Sequence, residues 1–296
     1  MIIAISGATG FIGTALSRYL TIKGYKIIPL WRSLFDEKNK DKLISIISGS
    51  DVVINLAGVS INRRWNKKNK EDIYSSRVKT TSILVDAIKN SSPRPKLLIS
   101  ASAVGYYGND GVYDEYNGVK GHGFLSDLCE AWEGHPEKAS DMLRVAITRF
   151  GVVLSPAGGA MAKMLEPVKL FKIAVGIGPG RQPFPWISLT DLCRAMQFII
   201  EHDSLSGVFN FVSPEIVSQS DFVRKMGTGY GALFRVSVPE AIIKLVMGES
   251  ASVLTSGQRV IPRRLNDAGF IFETPVLETF FEKPDSLPET VRKTLR

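Results

Sequence analysis

Gly7, Gly10 and Gly13, each three residues from the next, are the residues whose spacing most directly implies chemistry. They follow the run Ile2-Ile3-Ala4-Ile5-Ser6 and open the apolar stretch from Phe11 to Leu20. In a strand–turn–helix unit, glycines so spaced have separate steric jobs. One makes the turn, one lets the backbone approach a phosphate, and one lets the helix pack close to the strand. The helix start then offers unpaired N–H groups and a positive dipole end to a pyrophosphate. Gly7-Ala8-Thr9-Gly10-Phe11-Ile12-Gly13 is therefore read as a dinucleotide-binding loop rather than an ordinary turn.

The end of the second expected strand bears on which dinucleotide. Sites that prefer NAD carry an acidic residue there, about twenty positions on, for the ribose 2′-hydroxyl. Here the tip is Trp31-Arg32-Ser33, and Asp36 and Glu37 come only later. Arg32 offers a charged fork to a 2′-phosphate, and Ser33 adds a donor. NADP (NADPH) is the expected cofactor, ahead of NAD.

The elements that must position these residues alternate strand and helix. Strands are expected over 26–31, 51–58, 96–102, 144–154 and 208–212, after the first at 2–6. Helices are expected over 12–23, 34–47, 67–90, 124–139, 160–171 and 186–201. Pro29 gives no ladder hydrogen bond, so a local irregularity is expected within the second strand. Such alternation predicts an α/β fold, a Rossmann doubly wound parallel sheet with helices on both faces. Ligands then bind at the carboxyl ends of the strands. From 213 onward the alternation loosens into short helices (220–226, 239–248, 276–282) and short strands (233–238, 270–272). The expected division is a dinucleotide-binding domain over 1–215, with 156–186 contributing to the substrate side. A smaller mixed C-terminal lobe over 216–296 completes it, and its charged tail 283–296, with two prolines, has a composition suited to disorder.

At 296 residues, 44% hydrophobic and 22% charged, the chain reads as one globular protein, without the ~20 consecutive apolar residues of a membrane helix. Ile2–Ser6 already reads as the first strand, so no signal peptide is expected ahead of it. Cys129 and Cys193 read as reduced, buried thiols of a cytoplasmic protein. The net charge of +8 is spread along the chain, densest at Arg63, Arg64, Lys67, Lys68 and Lys70, with no aromatic–basic recognition motif. Nucleic acid is therefore not the expected partner; a small molecule is. Three histidines without ligand spacing predict no metal site.

The chain resembles the extended short-chain dehydrogenase/reductases, on Gly7-Ala8-Thr9-Gly10-Phe11-Ile12-Gly13 and Asn55-Leu56-Ala57-Gly58. End to end it is similar to one atypical branch, the epimerase family proteins. That likeness runs through Arg64-Trp65, Ser76-Arg77, Gly105-Tyr106-Tyr107-Gly108 and Trp132-Glu133, then Arg149 to Leu154, Gly178 to Gln182, Pro185-Trp186-Ile187, Met247 to Ser250 and Gly257 to Leu265. The resemblance implies NADP(H) held by the glycine loop, Arg32, Leu56, Ala57 and Gly58, with further contacts from Asp72, Arg77 and Val153. It implies a nucleotide-sugar-epimerase-like oxidoreductase acting on a small substrate. The wider family uses a Tyr-x-x-x-Lys pair on one helix face, the tyrosine exchanging a proton with substrate. Here those positions read Phe124 and Leu128, which exchange no protons. Ser102 stands where the family's catalytic serine belongs, with Ser100 as the alternative; Tyr106 and Tyr107 bring phenols close behind it. Trp132, Trp186 and Arg181 are expected to shape the substrate side. The lost pair also admits an alternative, an NADP(H)-binding or sensing protein without turnover.

Overall fold

The computed structural model describes residues 1–283, so the disorder expected of the tail lies, apart from Lys283, outside the described residues. Six strands, β1 (Ile2–Ser6), β2 (Lys26–Leu30), β3 (Val52–Asn55), β4 (Leu97–Ala103), β5 (Arg144–Phe150) and β6 (Gly207–Phe211), form one parallel sheet. Their spatial order is β6-β5-β4-β3-β1-β2. The chain steps outward to β2, then returns past β1 to β3, so the strand order reverses between β1 and β3. Ligands bind at such a switch point.

Both sheet faces are apolar, as a doubly wound sheet requires. Helices α1 (Phe11–Ile22), α2 (Lys40–Ser48), α3 (Lys67–Tyr74), α4 (Thr80–Lys89), α5 (Phe124–Glu137), α6 (Gly159–Phe171) and α7 (Leu189–Glu201) follow in chain order. Ala15, Leu16 and Leu20 of α1 and Leu192, Met196 and Ile199 of α7 pack with Ile3, Ile5 and Ile54 on one face. Leu43 and Ile47 of α2 and Leu84, Val85 and Ile88 of α4 pack with Ala4, Val53 and Leu98 on the other.

A second core joins α6 to the C-terminal lobe. Met161, Leu165 and Val168 of α6 meet Phe222, Val223 and Met226 of α8 (Gln219–Gly229), with Leu277 and Phe280 closing over Trp186. A two-stranded parallel sheet, Ile173–Ile177 with Phe234–Val238, and helix α9 (Glu240–Met247) complete the lobe. Among the described residues no helix is long and apolar enough to cross a membrane. Cys129 and Cys193 are both buried and in no disulfide.

Several local expectations are corrected. Pro29 causes no break: β1 and β2 stay in register from Ile2–Lys26 to Ser6–Leu30, because β2 is the outer strand and Pro29 owes no second neighbour an N–H. The 34–47 helix is two short 3₁₀ turns followed by α2. The helix over 67–90 contains a π turn at Ser75–Lys79. The 144–154 strand divides at Gly151, whose N–H donates to Phe211 O while that of Val152 donates to Pro185 O. Val152–Leu154 thus leaves the main sheet and pairs with Trp186–Ser188. That second strand occupies the start of the expected 186–201 helix, and α7 begins at Leu189 with Ser188 as its cap. Residues 270–272 form no strand; Phe270 instead packs edge-on to Phe198 of α7.

One buried carboxylate ties the C-terminal segment to the sheet. Asp191, fully buried on α7, accepts from the N–H groups of Glu273 and Thr274 at 2.8 and 2.9 Å and from the Thr274 hydroxyl. Arg194 pairs with it at 2.8 Å. Asp191→Ala leaves the Glu273 and Thr274 N–H groups without this acceptor, while Arg194 keeps Ile271 O and Glu273, and is expected to cost about 2–4 kcal/mol in urea unfolding. A loss below about 1 kcal/mol would show that the apolar contacts alone hold the segment.

Candidate cofactor and active site

Each glycine of the first loop has a different neighbour. Gly7 has φ +70°, and a Cβ on it would lie 2.6 Å from Leu56 O, so β3 can approach only a glycine there. A Cβ on Gly13 would lie 2.1 Å from Gly7 O, so α1 reaches the loop only without a side chain. A Cβ on Gly10 would meet nothing nearer than Gly7 O at 3.3 Å, and Gly10 is exposed. Position 10 is thus the least sterically constrained of the three glycines. Gly10 caps α1 with no side-chain hydrogen bond, and the first turn carries no acid. The N–H groups of that turn are therefore left without a side-chain acceptor from the cap.

A buried polar chain braces the loop from beneath. Ser6 Oγ donates to Asn55 Oδ1 at 2.6 Å, and Asn55 Nδ2 donates to Thr81 Oγ1 at 2.8 Å. Thr81 Oγ1 donates to Arg77 O at 2.6 Å and accepts from Trp132 Nε1 at 3.0 Å. The ends of β1 and β3 are thus pinned to α4 and α5. Leu56 and Ala57 are half-buried beside them, and Gly58 is exposed.

Arg77 projects from the π turn towards Gly58, where a Cβ would lie 2.9 Å from its guanidinium carbon. Its Nη1 donates to Val59 O at 3.0 Å and Ile73 O at 3.3 Å, and the guanidinium lies 5.3 Å from the Trp132 ring centroid. Burial pulls its pKa down to about 10, with no carboxylate among the described residues in a salt bridge to it. A half-buried guanidinium held by neutral partners keeps its charge free to attract an anion. Asp72 is not that anion: it is half exposed and stands 3.9 Å from Arg63. Arg32 opens the 3₁₀ turn after β2 and is exposed, one strand away from the glycine loop. Val153 packs against the core beneath α1, and the Phe11 ring lies against Gly158 and Gly159.

At the ends of β4 and β5 the structure shows a network that spacing did not suggest. Ser102 Oγ donates to Glu133 Oε1 at 2.5 Å. Arg149 Nε and Nη2 donate to the two oxygens of Glu133 at 2.8 and 2.6 Å. Burial opposes the Arg149 charge, but the hydrogen bonds and charge of Glu133 outweigh it and hold its pKa above the ordinary arginine value. Tyr106 lies under this guanidinium, 3.5 Å from carbon to ring centroid, and Tyr107 lies 4.7 Å away. Tyr107 Oη donates to Asn210 Oδ1 at 2.8 Å. Cys129 is no nucleophile here, since burial, and after it the charge of Glu133, pushes its thiol up to about 12.

Phe124 and Leu128 are packing residues. Phe124 sits edge-on to Trp65 at 5.0 Å, and Leu128 is buried with Ile73, Val78 and Trp132. Of the tryptophans expected on the substrate side, Trp186 is fully buried against Phe280 in the second core. Trp132 is buried too, and its indole N–H goes to Thr81. Arg181 is exposed. Glu133 and Arg149 carry their own sequence signal, an acid and a base at positions where α5 and β5 are otherwise apolar. Pairing the two across 16 residues takes the fold.

Residues 3–211 match the model of the NAD dependent epimerase/dehydratase family. The chain belongs to that family. Residues 238–283 match a domain of unknown function, DUF1731. Within the family, the epimerase family protein SDR39U1 homolog of Arabidopsis thaliana, described as chloroplastic, is 37% identical over 92% of this chain and 83% of the relative. The crystal structure of human epimerase family protein SDR39U1 (isoform 2) with NADPH is 33% identical, with a TM-score of 0.87, over 96% of this chain and 98% of that one. A nucleoside-diphosphate sugar epimerase from Corynebacterium glutamicum is 28% identical, with a TM-score of 0.76, over all of this chain and 61% of that one.

The two loop glycines separate by stability. Gly13→Ala is expected to lose about 1–3 kcal/mol, because α1 must shift off the loop. Gly10→Ala is expected to stay within about 0.5 kcal/mol of the parent in thermal unfolding. Equal losses would mean that position 10 is a structural glycine.

Proposed function

We propose that this chain binds NADP(H) between the ends of β1 and β3 and acts as an oxidoreductase on a small carbonyl or secondary-alcohol substrate of the nucleotide-sugar-epimerase kind. The observation that carries the reading is Arg77, a half-buried guanidinium beside Gly58 with carbonyl partners and, among the described residues, no carboxylate in a salt bridge to it. The uncapped first turn of α1 supplies the second anion-seeking feature of the same crevice. The human relative crystallised with NADPH supports the same ligand.

In this arrangement the N–H groups after Gly10 hold the pyrophosphate, and Arg32 with Ser33 meets the 2′-phosphate. Thr9, Phe11 and Ile12 shape the loop, and Leu56, Ala57 and Gly58 line the opposite wall with Arg77. We keep Asp72 and Val153 in the proposed cofactor set. The nicotinamide supplies or takes the hydride. The reacting oxygen is placed at the end of β4, beside Ser102 and Tyr106. We assign residues 1–215 to the cofactor domain, and 156–186 with 216–296 to the substrate side. Two buried thiols favour a reducing compartment such as the cytoplasm.

A second reading has its own observation. Phe124 and Leu128 occupy the positions of the family's proton-transfer pair; Leu128 is buried in the core and Phe124 packs half-buried against it. A protein that holds NADP(H) as a signal, without turnover, would tolerate that loss.

Calorimetric titration is expected to show NADPH binding more tightly than NADH, with Arg32→Asp reducing or inverting the ratio about tenfold or more. An unchanged ratio would remove Arg32 from the 2′-phosphate. The well-folded Gly10→Ala variant is expected to bind NADPH at least about tenfold more weakly than the parent. Between the two readings, NADPH oxidation across a panel of carbonyl compounds and nucleotide sugars decides: consumption supports the oxidoreductase, and silence across the panel supports the sensor.

A further inference from the structure

Three hydroxyl side chains crowd the end of β4, and the protein's own hydrogen bonds commit two of their protons. Ser102 is 2% exposed and gives its one hydroxyl proton to Glu133 at 2.5 Å. That leaves it none to offer a substrate oxygen. Glu133 is in turn held on both oxygens by Arg149. Tyr107, also 2% exposed, gives its phenol proton to Asn210 at 2.8 Å. Tyr106 differs from both: it is half-buried, and its phenol oxygen makes no hydrogen bond among the described residues.

Tyr106 is not loosely held, however. The Arg149 guanidinium covers its ring face at 3.5 Å, and Arg149 cannot swing away because Nε and Nη2 are both bonded to a buried carboxylate. Tyr107 packs edge-on to the same ring at 5.5 Å, and its own ring also lies 4.7 Å from the Arg149 guanidinium. The ring is fixed while its oxygen is left available.

We propose that Tyr106 is the proton-transferring catalytic residue of this chain, and that Arg149, locked by Glu133, is its positioning residue. The pair does from two strand ends what the Tyr-x-x-x-Lys pair does from one helix face in the wider family. The inference rests on the oxidoreductase reading above. In the reducing direction, a substrate carbonyl carbon gains a hydride from NADPH, which leaves as NADP⁺. The carbonyl π pair moves onto oxygen, and that oxygen takes the Tyr106 phenol proton, giving the alcohol. The phenolate left behind, with the permanent Arg149 charge against its ring face, regains a proton from water. In the oxidising direction each transfer reverses. Ser102, its proton held, acts as the hinge pin between β4 and Glu133 rather than as an acid.

Tyr106→Phe removes only an oxygen that the protein does not bond, so it is expected to fold and to bind NADPH within about twofold of the parent by calorimetry. Its kcat on whichever carbonyl the NADPH panel reveals is expected to fall at least about 100-fold. Arg149→Lys keeps a charge but loses the fork and the flat cover, and is expected to lower kcat with KM nearly unchanged. Tetranitromethane followed by peptide mass mapping gives a readout independent of turnover. Nitration is expected at Tyr106 and not at Tyr107, and saturating NADPH is expected to suppress it at Tyr106 while the 63%-exposed Tyr116 stays reactive. A parent enzyme silent across the panel would overturn both this inference and the oxidoreductase reading. Turnover that survives Tyr106→Phe, or nitration of Tyr106 indifferent to NADPH, would overturn this inference alone. An unchanged kcat in Arg149→Lys would remove the positioning role.

Discussion

Helix α1 can begin where it does only because a Cβ is absent at Gly13, 2.1 Å from where the Gly7 carbonyl oxygen lies. This close approach sets the distance between the end of β1 and the first turn of α1. Gly7 adds the matching constraint on the other side, since its missing side chain lets the β3 end come within contact. Two strands and a helix terminus thus meet at a point that no larger residue could occupy.

That point is held by polar groups, because apolar packing alone does not fix the register of strand ends. Asn55 is fully buried and bridges Ser6 to Thr81, and Thr81 joins Arg77 to Trp132. A chain satisfied at each link is rigid, since loosening one bond leaves a buried donor or acceptor unpaired. Arg77 is the exception by design of its surroundings. It has backbone carbonyls for partners and an aromatic ring nearby, which orient a guanidinium without neutralising it. The same logic explains the π turn at Ser75–Lys79, since an inserted residue in a helix re-aims the side chains around it.

What could be read in advance follows the range of each interaction. The glycine loop is local, three residues between steps, and its sterics are visible in sequence. The strand–helix alternation is likewise a matter of periodicity within each segment. The place of Arg32 at the end of β2 was legible because the length of α1 and its turn puts it one strand over. The divided strand at Gly151 was not, because its cause is a change of partner from Phe211 to Pro185, far along the chain. Pro29 was misread for the opposite reason: its harmlessness depends on β2 being outermost, a property of the sheet and not of the strand. Glu133 and Arg149 stood in the sequence as charges among apolar neighbours, yet what they hold, Ser102 and the Tyr106 ring, lies 31 and 43 residues away (133 − 102 and 149 − 106).

The apolar pair Phe124 and Leu128 has a consequence for how the two halves of the protein meet. With no lysine to reach towards the nicotinamide ribose, this turn of α5 packs Trp65 on one side and carries Lys70 over the Phe124 ring at 5.1 Å. Lys70 in turn pairs with Glu249 of the C-terminal lobe at 2.6 Å, and Arg64 lies 3.7 Å from where a Gly248 side chain would start. A helix face given to proton transfer in the wider family is here a contact linking the α3 region to the lobe that follows α9. In the mechanism proposed above, the proton chemistry moves from a helix to strand ends, where a buried ion pair replaces helical spacing as the device that fixes geometry. Spacing along a helix tolerates exchange of its neighbours, whereas a neutral residue in place of Glu133 or Arg149 leaves the other an uncompensated buried charge.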